Sequence, residues 1–390
     1  MRVSDMLGIR RIRFISLLLA VGLVVSVIVP ANGGAVEAAP VDQGDDLDAD
    51  DGVVTDEFPL AGDDDPGKPV SAREQGVRVS EAREWTREEM EAAKPIRPPA
   101  QKGPGMGARR ASADPVGPPG GEPGQPPERG GARGRADLED MLLRPAADKV
   151  PISQYTQFPI STAGRLFSRQ AGKLSFCSAS SIGNNAVWTA GHCVYTPEVG
   201  WHTNIVFVPS YLNGWGLRGQ WVEANAFTTT NWQRGDLSFD YGGVILRPFN
   251  ANSPANVKQG LNGQHGQRIS QVAGALGIAW NQPLGVKYTL LGYPGSPAPF
   301  DGNTMWSCAG FSFRYDDDES APWPVGMAPC NQWKGASGGP WILWGTNWLG
   351  GNIAYARASL PKFIFSPRFT NDSRVYDTTD MRNMLIKQRS

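Results

Sequence analysis

Short apolar runs separated by Gly, Asn and Pro recur through the second part of the chain. They lie at residues 186–190, 205–208, 241–246, 286–291, 304–313, 340–344 and 349–355. Repeated short strands with turn residues between them are typical of an all-β sandwich or barrel. The pattern therefore predicts an all-β domain over residues 151–390.

The end of the chain shows a helical period instead. Met381, Met384 and Leu385 follow Asp377 at helical spacing. Aspartate favours the start of a helix because its side chain accepts hydrogen bonds from the first free N–H groups. We expect a short C-terminal amphipathic helix.

Composition divides the chain near residue 150. Residues 1–150 carry 19 Lys and Arg against 26 Asp and Glu, whereas residues 151–390 carry 18 against 12, so the near-neutral total hides charges of −7 and +6. Twelve of the 13 tryptophans and all four cysteines lie in the second part, which is long enough to bury a large core. Its positive charge is modest and scattered, which argues against a nucleic-acid-binding protein.

The N-terminus has the pattern of a secretory signal peptide. Three arginines within residues 10–13 precede an apolar run at 14–29, and small residues follow. We expect residues 1–38 to be removed by cleavage after Ala38, with Ala35 as an alternative. A retained membrane anchor is the other interpretation, although the run is shorter than the ~20 residues that a spanning helix needs.

Residues 39–150 are acidic at first and then rich in Pro, Gly and Arg. This composition offers little apolar surface to offset the entropy of ordering. We therefore expect a largely disordered N-terminal region. It is either a pro-segment that docks on the following domain, helped by the opposite charges of the two parts, or a linker.

One short helix is predicted inside this region, near residues 84–94. Thr86 stands three residues before a glutamate, which is the spacing of a capping box, and Pro95 ends the pattern. Trp85 and Met90 are its apolar features.

Candidate chemistry begins with a histidine and a serine. His192 lies in WTAGHC, between a strand-like run and a cysteine, and Ser337 lies in GASGGP, just before another apolar run. A serine hydroxyl needs an adjacent base to act as a nucleophile. Glycines let backbone N–H groups, here those of Gly335 and Ser337, converge on a developing oxyanion.

The base in turn needs a carboxylate, and two aspartates between the motifs are candidates. Asp240 immediately precedes the apolar run 241–246, where a buried carboxylate must find a partner. Asp236 lies among polar neighbours, as a solvated turn residue would. We prefer Asp240.

These motifs resemble those of the chymotrypsin-like (trypsin-type) serine endopeptidases, particularly the secreted bacterial branch that includes the glutamyl endopeptidases. His192, Asp240 and Ser337 follow the order of that family, 48 and 97 residues apart. The stretch 158–167 is similar to the first strand of such bacterial enzymes. The resemblance covers about residues 155–390.

The resemblance implies an all-β fold of two antiparallel six-stranded β-barrels packed face to face. Barrel one would span about residues 155–255 and barrel two about 265–370. His192 and Asp240 would come from the first barrel and Ser337 from the second, so that the catalytic residues meet at the junction.

Disulfide pairing is also taken from the resemblance. An exported protein is expected to oxidise its four cysteines, which allow three pairings. The family's disulfide beside the histidine loop implies Cys177 with Cys193. Cys308 with Cys330 then follows.

The implied reaction is peptide hydrolysis. Ser337 would attack the carbonyl, His192 would take its proton, and Asp240 would hold and stabilise the imidazolium. The N–H groups of Gly335 and Ser337 would form the oxyanion hole. The resemblance implies no metal or organic cofactor, and protein or peptide substrates as partners.

Activation is expected to differ from that of animal trypsins. Ala336 stands where those enzymes have aspartate, and the domain lacks an Ile-Val-Gly-Gly-like start. The segment around residues 84–94 is similar to pro-regions of some bacterial relatives. In a zymogen, the pro-segment would cover the cleft or withhold order from the domain.

The resemblance also implies which residues line the primary specificity pocket. Asn331, six residues before the serine, would lie at the base of the primary specificity pocket, and Ala354 and Tyr355 would belong to its wall. A neutral Asn supplies no anion for Lys or Arg, and the wall lacks the histidine of glutamyl endopeptidases. Neither a basic nor an acidic preference follows.

Other polar residues receive structural interpretations. His202 and His265 have no metal-ligand spacing around them and are interpreted as surface or loop residues. Residues 316–319, Asp-Asp-Asp-Glu, are interpreted as a solvated hairpin tip, with calcium binding as the alternative.

Two other functions remain open beside a secreted, monomeric serine endopeptidase. One is an inactive secreted binding protein on the same scaffold, and the other is a serine esterase. No membrane partner is expected once the signal is removed.

Overall fold

A computed structural model describes residues 68–77, 82–97, 117–128, 147–258, 261, 265–316, 319, 322–357, 360, 363–372 and 376–388. The predicted signal peptide lies outside the described residues. None of the helices in this described part of the chain has the length and hydropathy of a membrane-spanning segment.

Short elements precede residue 150. They are β1 (Pro69–Ser71), α1 (Arg87–Ala92), β2 (Lys94–Pro95), β3 (Gly120–Glu122) and β4 (Asp148–Lys149). Helix α1 begins with the predicted capping box, because Thr86 Oγ1 accepts from Glu89 N–H and the Glu89 carboxylate accepts from Thr86 N–H. Trp85 and Met90 are buried.

The first barrel is built from six long strands among shorter elements. In chain order the long strands and the shorter elements between them are β5 (Ala163–Gln170), β6 (Lys173–Gly183), β7 (Ala186–Thr189), β8 (Tyr195–Thr196), β9 (Gly200–Trp201), β10 (Thr203–Pro209), β11 (Tyr211–Leu212), β12 (Trp215–Gly216), β13 (Trp221–Thr229), α2 (Thr230–Gln233) and β14 (Gly242–Leu246). Antiparallel pairing runs β5, β6, β7, β14, β13, β10 and back to β5, which closes the ring.

The second barrel follows after two short helices. In chain order the elements are α3 (Pro254–Val257), α4 (Ile269–Ala273), β15 (Gly277–Trp280), β16 (Lys287–Gly292), β17 (Trp306–Tyr315), β18 (Val325–Ala328), β19 (Pro340–Leu343), β20 (Trp348–Asn352), β21 (Ile364–Ser366) and α5 (Thr378–Lys387).

Six of these strands, β16 to β21, form an antiparallel ring in the order β16, β17, β18, β21, β20, β19. The ring closes just after β20, where Phe365 N–H donates to Tyr355 O at 2.8 Å and Ala354 N–H donates to Phe365 O at 3.0 Å. Strand β15 lies outside this ring and pairs in parallel with β20. The all-β fold class with a short C-terminal helix is confirmed.

Four short stretches of the region expected to be largely disordered pack on the barrels by strand addition. Strand β1 pairs with β13 and β2 pairs with β6, both in the first barrel. Strand β3 pairs with β15, and β4 pairs with β17. The average composition of residues 39–150 could not predict these pairings, because each pairing involves the main chain of only two or three residues.

Candidate active site

The histidine lies in one helical turn directly after β7. The residue before it is Gly191, where a side chain would not fit because its Cβ would come within 2.7 Å of the Trp232 indole. Cys193 follows it and is bonded to Cys177 of β6, as the resemblance implies. The turn is therefore fixed on both sides, and His192 is 3% exposed.

Asp240 is the partner of this histidine. Its carboxylate is fully buried and accepts two hydrogen bonds from the same residue, from His192 N–H at 2.9 Å and from the Nδ1 side of the ring at 2.8 Å. A carboxylate on Nδ1 fixes the proton there and leaves Nε2 as the basic nitrogen. The structure places Asp236 instead at a turn, where its side chain accepts from Ser238 N–H.

A residue that sequence reasoning missed holds the backbone of Asp240 from the second barrel. Asn352 Nδ2 donates to the backbone carbonyl of Asp240 at 3.2 Å, and Asn352 Oδ1 accepts from Trp188 Nε1 at 3.1 Å. Asn352 thus connects the end of β20 to the aspartate and to the strand that precedes the histidine.

The serine loop packs tightly against the histidine loop. Ser178 N–H donates to Ser337 O at 2.7 Å, and Ser178 Oγ donates to Gly335 O at 2.9 Å. Gly338 has a φ of +80°, and a Cβ there would lie 2.1 Å from Thr189 Oγ1. Only glycine permits this approach of the two loops.

Gly335 has a φ of +94°, in the region that favours glycine. Within the described residues, neither its N–H nor that of Ser337 makes a hydrogen bond. Two free backbone donors in a glycine turn beside a buried serine are the groups that an oxyanion site requires.

Ser337 Oγ and His192 Nε2 are both buried and make no hydrogen bond with the described residues. Ser337 is 1% exposed. Such catalytic hydrogen bonds tighten when substrate binds. The structure thus brings the three predicted residues into adjoining loops, with the His–Asp contact made and the Ser–His contact not made.

The predicted specificity residues are placed differently from one another. Asn331 is exposed, and its side-chain oxygen accepts from Ala147 N–H at 2.9 Å. Tyr355 is buried, stacks on Phe365 with ring centroids 5.1 Å apart, and donates its hydroxyl to Asp316 at 2.7 Å. Ala354 is also buried.

The interpretation of residues 316–319 as a solvated tip is wrong for two of them. Asp316 is buried and accepts from Arg357 Nε at 2.5 Å, and Glu319 pairs with Arg357 Nη2 at 2.8 Å. Burial raises the pKa of Glu319 above its usual range, although Arg357 opposes the shift. Nothing in the sequence indicates that Arg357, 38 residues after Glu319, pairs with both of these carboxylates.

His202 lies in the connection between β9 and β10, as a loop residue would, but it is not at the surface. It is buried, and its two ring nitrogens contact Ser168 Oγ at 3.2 Å and Thr196 Oγ1 at 3.0 Å. Burial lowers the pKa of His202 to about 3, so the ring is neutral. His265 is exposed and accepts from Ala251 N–H, as expected of a loop histidine.

Metal-ligating side chains come together at one place in the described part of the chain. They are Cys177, His192 and Cys193. Both sulfurs are joined in a disulfide, and metal binding requires thiolates. This donor set does not fit a metal ion.

Comparisons with known proteins point to proteases. No protein-family model matches the chain. It is 26% identical over 184 residues to the extracellular metalloprotease of Bacillus subtilis, covering 45% of this chain and 53% of that protein. It is 23% identical over 166 residues to the glutamyl endopeptidase of Bacillus licheniformis, covering 42% and 44%. The chain thus spans about half the length of the curated relatives it matches.

A solved structure, that of the thermostable serine protease AL20 from an extremophilic microorganism, is 30% identical in sequence. The match covers 56% of this chain and 93% of that one, with a TM-score of 0.45. The solved structures to which the chain is similar are those of chymotrypsin-like serine proteases.

Proposed function

We propose that the protein is a secreted serine endopeptidase whose triad is Ser337, His192 and Asp240. The observation that carries the proposal is the buried His192–Asp240 contact at 2.8 Å beside a glycine loop that presents Ser337. A fully buried carboxylate needs a partner of this kind. Both partners come from loops that adjoin the serine.

The reaction follows from these positions. Ser337 Oγ attacks the substrate carbonyl carbon while His192 Nε2 takes its proton, and Asp240 stabilises the imidazolium that forms. The free N–H groups of Gly335 and Ser337 donate to the oxyanion. His192 then protonates the leaving amine, and water hydrolyses the acyl-enzyme with His192 as base again.

No metal or organic cofactor is needed for these steps. The substrates are proteins or peptides, and the active enzyme is a monomer outside the cell. The assignment of Asn331, Ala354 and Tyr355 to the specificity pocket remains a prediction.

We further propose that the protein is made as a pro-protein and that residues 82–97 are its inhibitory pro-segment. Trp85 anchors this segment. It is 1% exposed, packs against Phe167 with ring centroids 5.4 Å apart, and exchanges two hydrogen bonds with Gln220. Its indole N–H donates to Asn204 O at 3.0 Å.

Ion pairs of Glu89 also help to hold the segment on the barrel. Glu89 pairs with Arg169 of β5 at 2.8 Å and with Arg83 of its own segment at 2.7 Å. Arg83 and its hydrogen bond to Glu89 lower the pKa of that carboxyl. The pair with Arg169 crosses from the segment to the barrel.

The end of the segment lies next to the nucleophile loop. Lys94 and Pro95 pair with β6, and Ile96 N–H donates to Phe176 O at 3.0 Å. The Phe176 ring contacts Gly335, because a Cβ there would lie 2.5 Å from it. A peptide added to a sheet edge is a common way to hold an extended substrate. The segment pairs with such an edge of β6, next to the nucleophile loop.

The test is to incubate the secreted full-length protein and its Ser337→Ala variant with a mixed peptide library. Mass spectrometry of the products, before and after limited proteolysis of the N-terminal region, identifies any cleavage. We expect new amino termini with the wild-type chain only, and more of them after proteolysis. Hydrolysis of a peptide ester, assayed in parallel, without cleavage of the library would support the esterase, and no turnover of either substrate would support the binding protein.

A further inference from the structure

Barrel one contains a buried arginine that the proposed reaction does not use. Arg165 of β5 is 1% exposed. Its guanidinium carbon lies 3.7 Å from the Phe176 ring centroid and 4.5 Å from those of Phe167 and Tyr211. Three aromatic rings therefore surround the charge, and we call Phe167, Phe176 and Tyr211 the aromatic cage.

Within the described residues, aromatic rings and not an ion pair surround this cation. Among the described residues Arg165 makes no ion pair, and its Nε and Nη1 make no hydrogen bond. Burial lowers the pKa of Arg165 to about 10, so the group stays protonated at neutral pH. Cation–π contacts of this kind are strongest when the cation is desolvated.

One wall of the aromatic cage also contacts the nucleophile loop. Phe176 contacts the guanidinium and Gly335, so one ring separates the charge from an oxyanion donor. Arg165 is also paired across the strands with Ser178, whose hydroxyl holds Gly335 O. Arg165 is thus connected to Gly335 both through Phe176 and through Ser178.

We propose that Arg165 is a positioning residue for the proposed reaction: through Phe176 it fixes Gly335 as an oxyanion donor, and its buried charge stabilises the oxyanion that forms there. The inference rests on the proposed function. Negative charge develops only in the transition state, so the effect of the positive charge is selective for it. For a unit charge one aromatic ring away from the oxyanion, at an effective dielectric constant near 20, removal corresponds to roughly a ten- to thirtyfold slower acylation.

The test compares Arg165→Met, which keeps an unbranched apolar stem and removes the charge, with Arg165→Lys, which keeps the charge. Arg218→Met is the matched control, because Arg218 is also buried in barrel one but donates to the carbonyls of Thr156 and Val272. Each variant is made in the full chain and assayed in its active form for kcat, KM and thermal midpoint. If Arg165→Met does not fold, the neutral Arg165→Gln replaces it.

A peptide boronic acid supplies the second readout, since its adduct with a serine carries a negative charge where the oxyanion would be. We expect Arg165→Met to lower kcat ten- to thirtyfold with KM within about twofold, and to weaken boronate binding by the same factor. Arg165→Lys should keep kcat within about threefold, and Arg218→Met should lower only the thermal midpoint.

Wild-type kcat and boronate affinity in a folded Arg165→Met variant would overturn the inference and leave the proposed function intact. An equal loss in Arg165→Lys and Arg165→Met would overturn the role of the charge. If the wild-type chain itself hydrolyses no peptide, the proposed function fails and the inference fails with it.

Discussion

Replacing Trp85 by alanine should release the N-terminal segment and expose the active site. The change removes a fully buried indole, its packing against Phe167 and its hydrogen bond to Asn204 O. The remaining contacts that hold the segment are the two-residue pairing of Lys94 and Pro95 with β6 and the Glu89–Arg169 ion pair. The segment would then be held by its weaker interactions alone.

The magnitude follows from the burial of the indole. Truncating a buried Trp to Ala costs about 3–5 kcal/mol. If docking and opening are in equilibrium, 3 kcal/mol raises the fraction of open molecules roughly 100-fold. Labelling of the serine by a fluorophosphonate should accelerate by about that factor, until opening no longer limits the rate.

The assay is the rate of probe labelling of the full-length chain, followed by gel fluorescence, for Trp85→Ala and the wild type. Trp215→Ala is the matched control, because Trp215 is 44% exposed and its ring is contacted by Arg87 of the same segment. The control should label at nearly the wild-type rate. If Trp85→Ala also labels at the wild-type rate while remaining folded, the segment does not restrict access and the inhibitory role is wrong.

Three further changes have defined outcomes. Burial raises the pKa of Glu223 to about 8 from its ordinary 4.5, so between these pH values the folded chain binds a proton that the unfolded chain has lost, and the free energy of unfolding falls as pH rises. In Glu223→Gln this slope should vanish, a gain on the order of 3–5 kcal/mol near pH 8 by urea unfolding; an unaltered slope would contradict the assignment. Asp240→Asn should lower kcat about 10⁴-fold with the fold intact, and a loss below tenfold would exclude Asp240 from the triad. Ser178→Ala removes a hydrogen bond to Gly335 O and should lower kcat about tenfold with little change in KM; full activity would show that Gly335 is held without it.

Local sequence patterns were sufficient where one short stretch determines the contact. The capping box at Thr86, the glycine turn around Ser337 and the α5 N-cap at Asp377 each depend on residues within three or four positions. The choice of Asp240 over Asp236 also followed from a local feature, the apolar strand that begins directly after it. Such strands force a carboxylate to find a buried partner.

Contacts between residues far apart in the sequence could not be predicted from local patterns. Arg357 reaches Asp316 from 41 residues away, and Ser168 reaches His202 from 34 away. The positions of Arg357 and Ser168 along the sequence do not predict which residue either of them contacts. The cage around Arg165 is similarly assembled from three strands or loops, and a lone arginine in a strand normally indicates a solvated position.

The central claim is tested most directly by labelling the secreted protein with a fluorophosphonate and mapping the modified residue by peptide mass spectrometry. The variants His192→Ala and Asp240→Asn are treated in parallel, and circular dichroism shows that they fold. The account predicts modification of Ser337 in the wild type and its loss or strong slowing in both variants. Modification of another residue, or equal labelling of Ser337 in all three proteins, would contradict it.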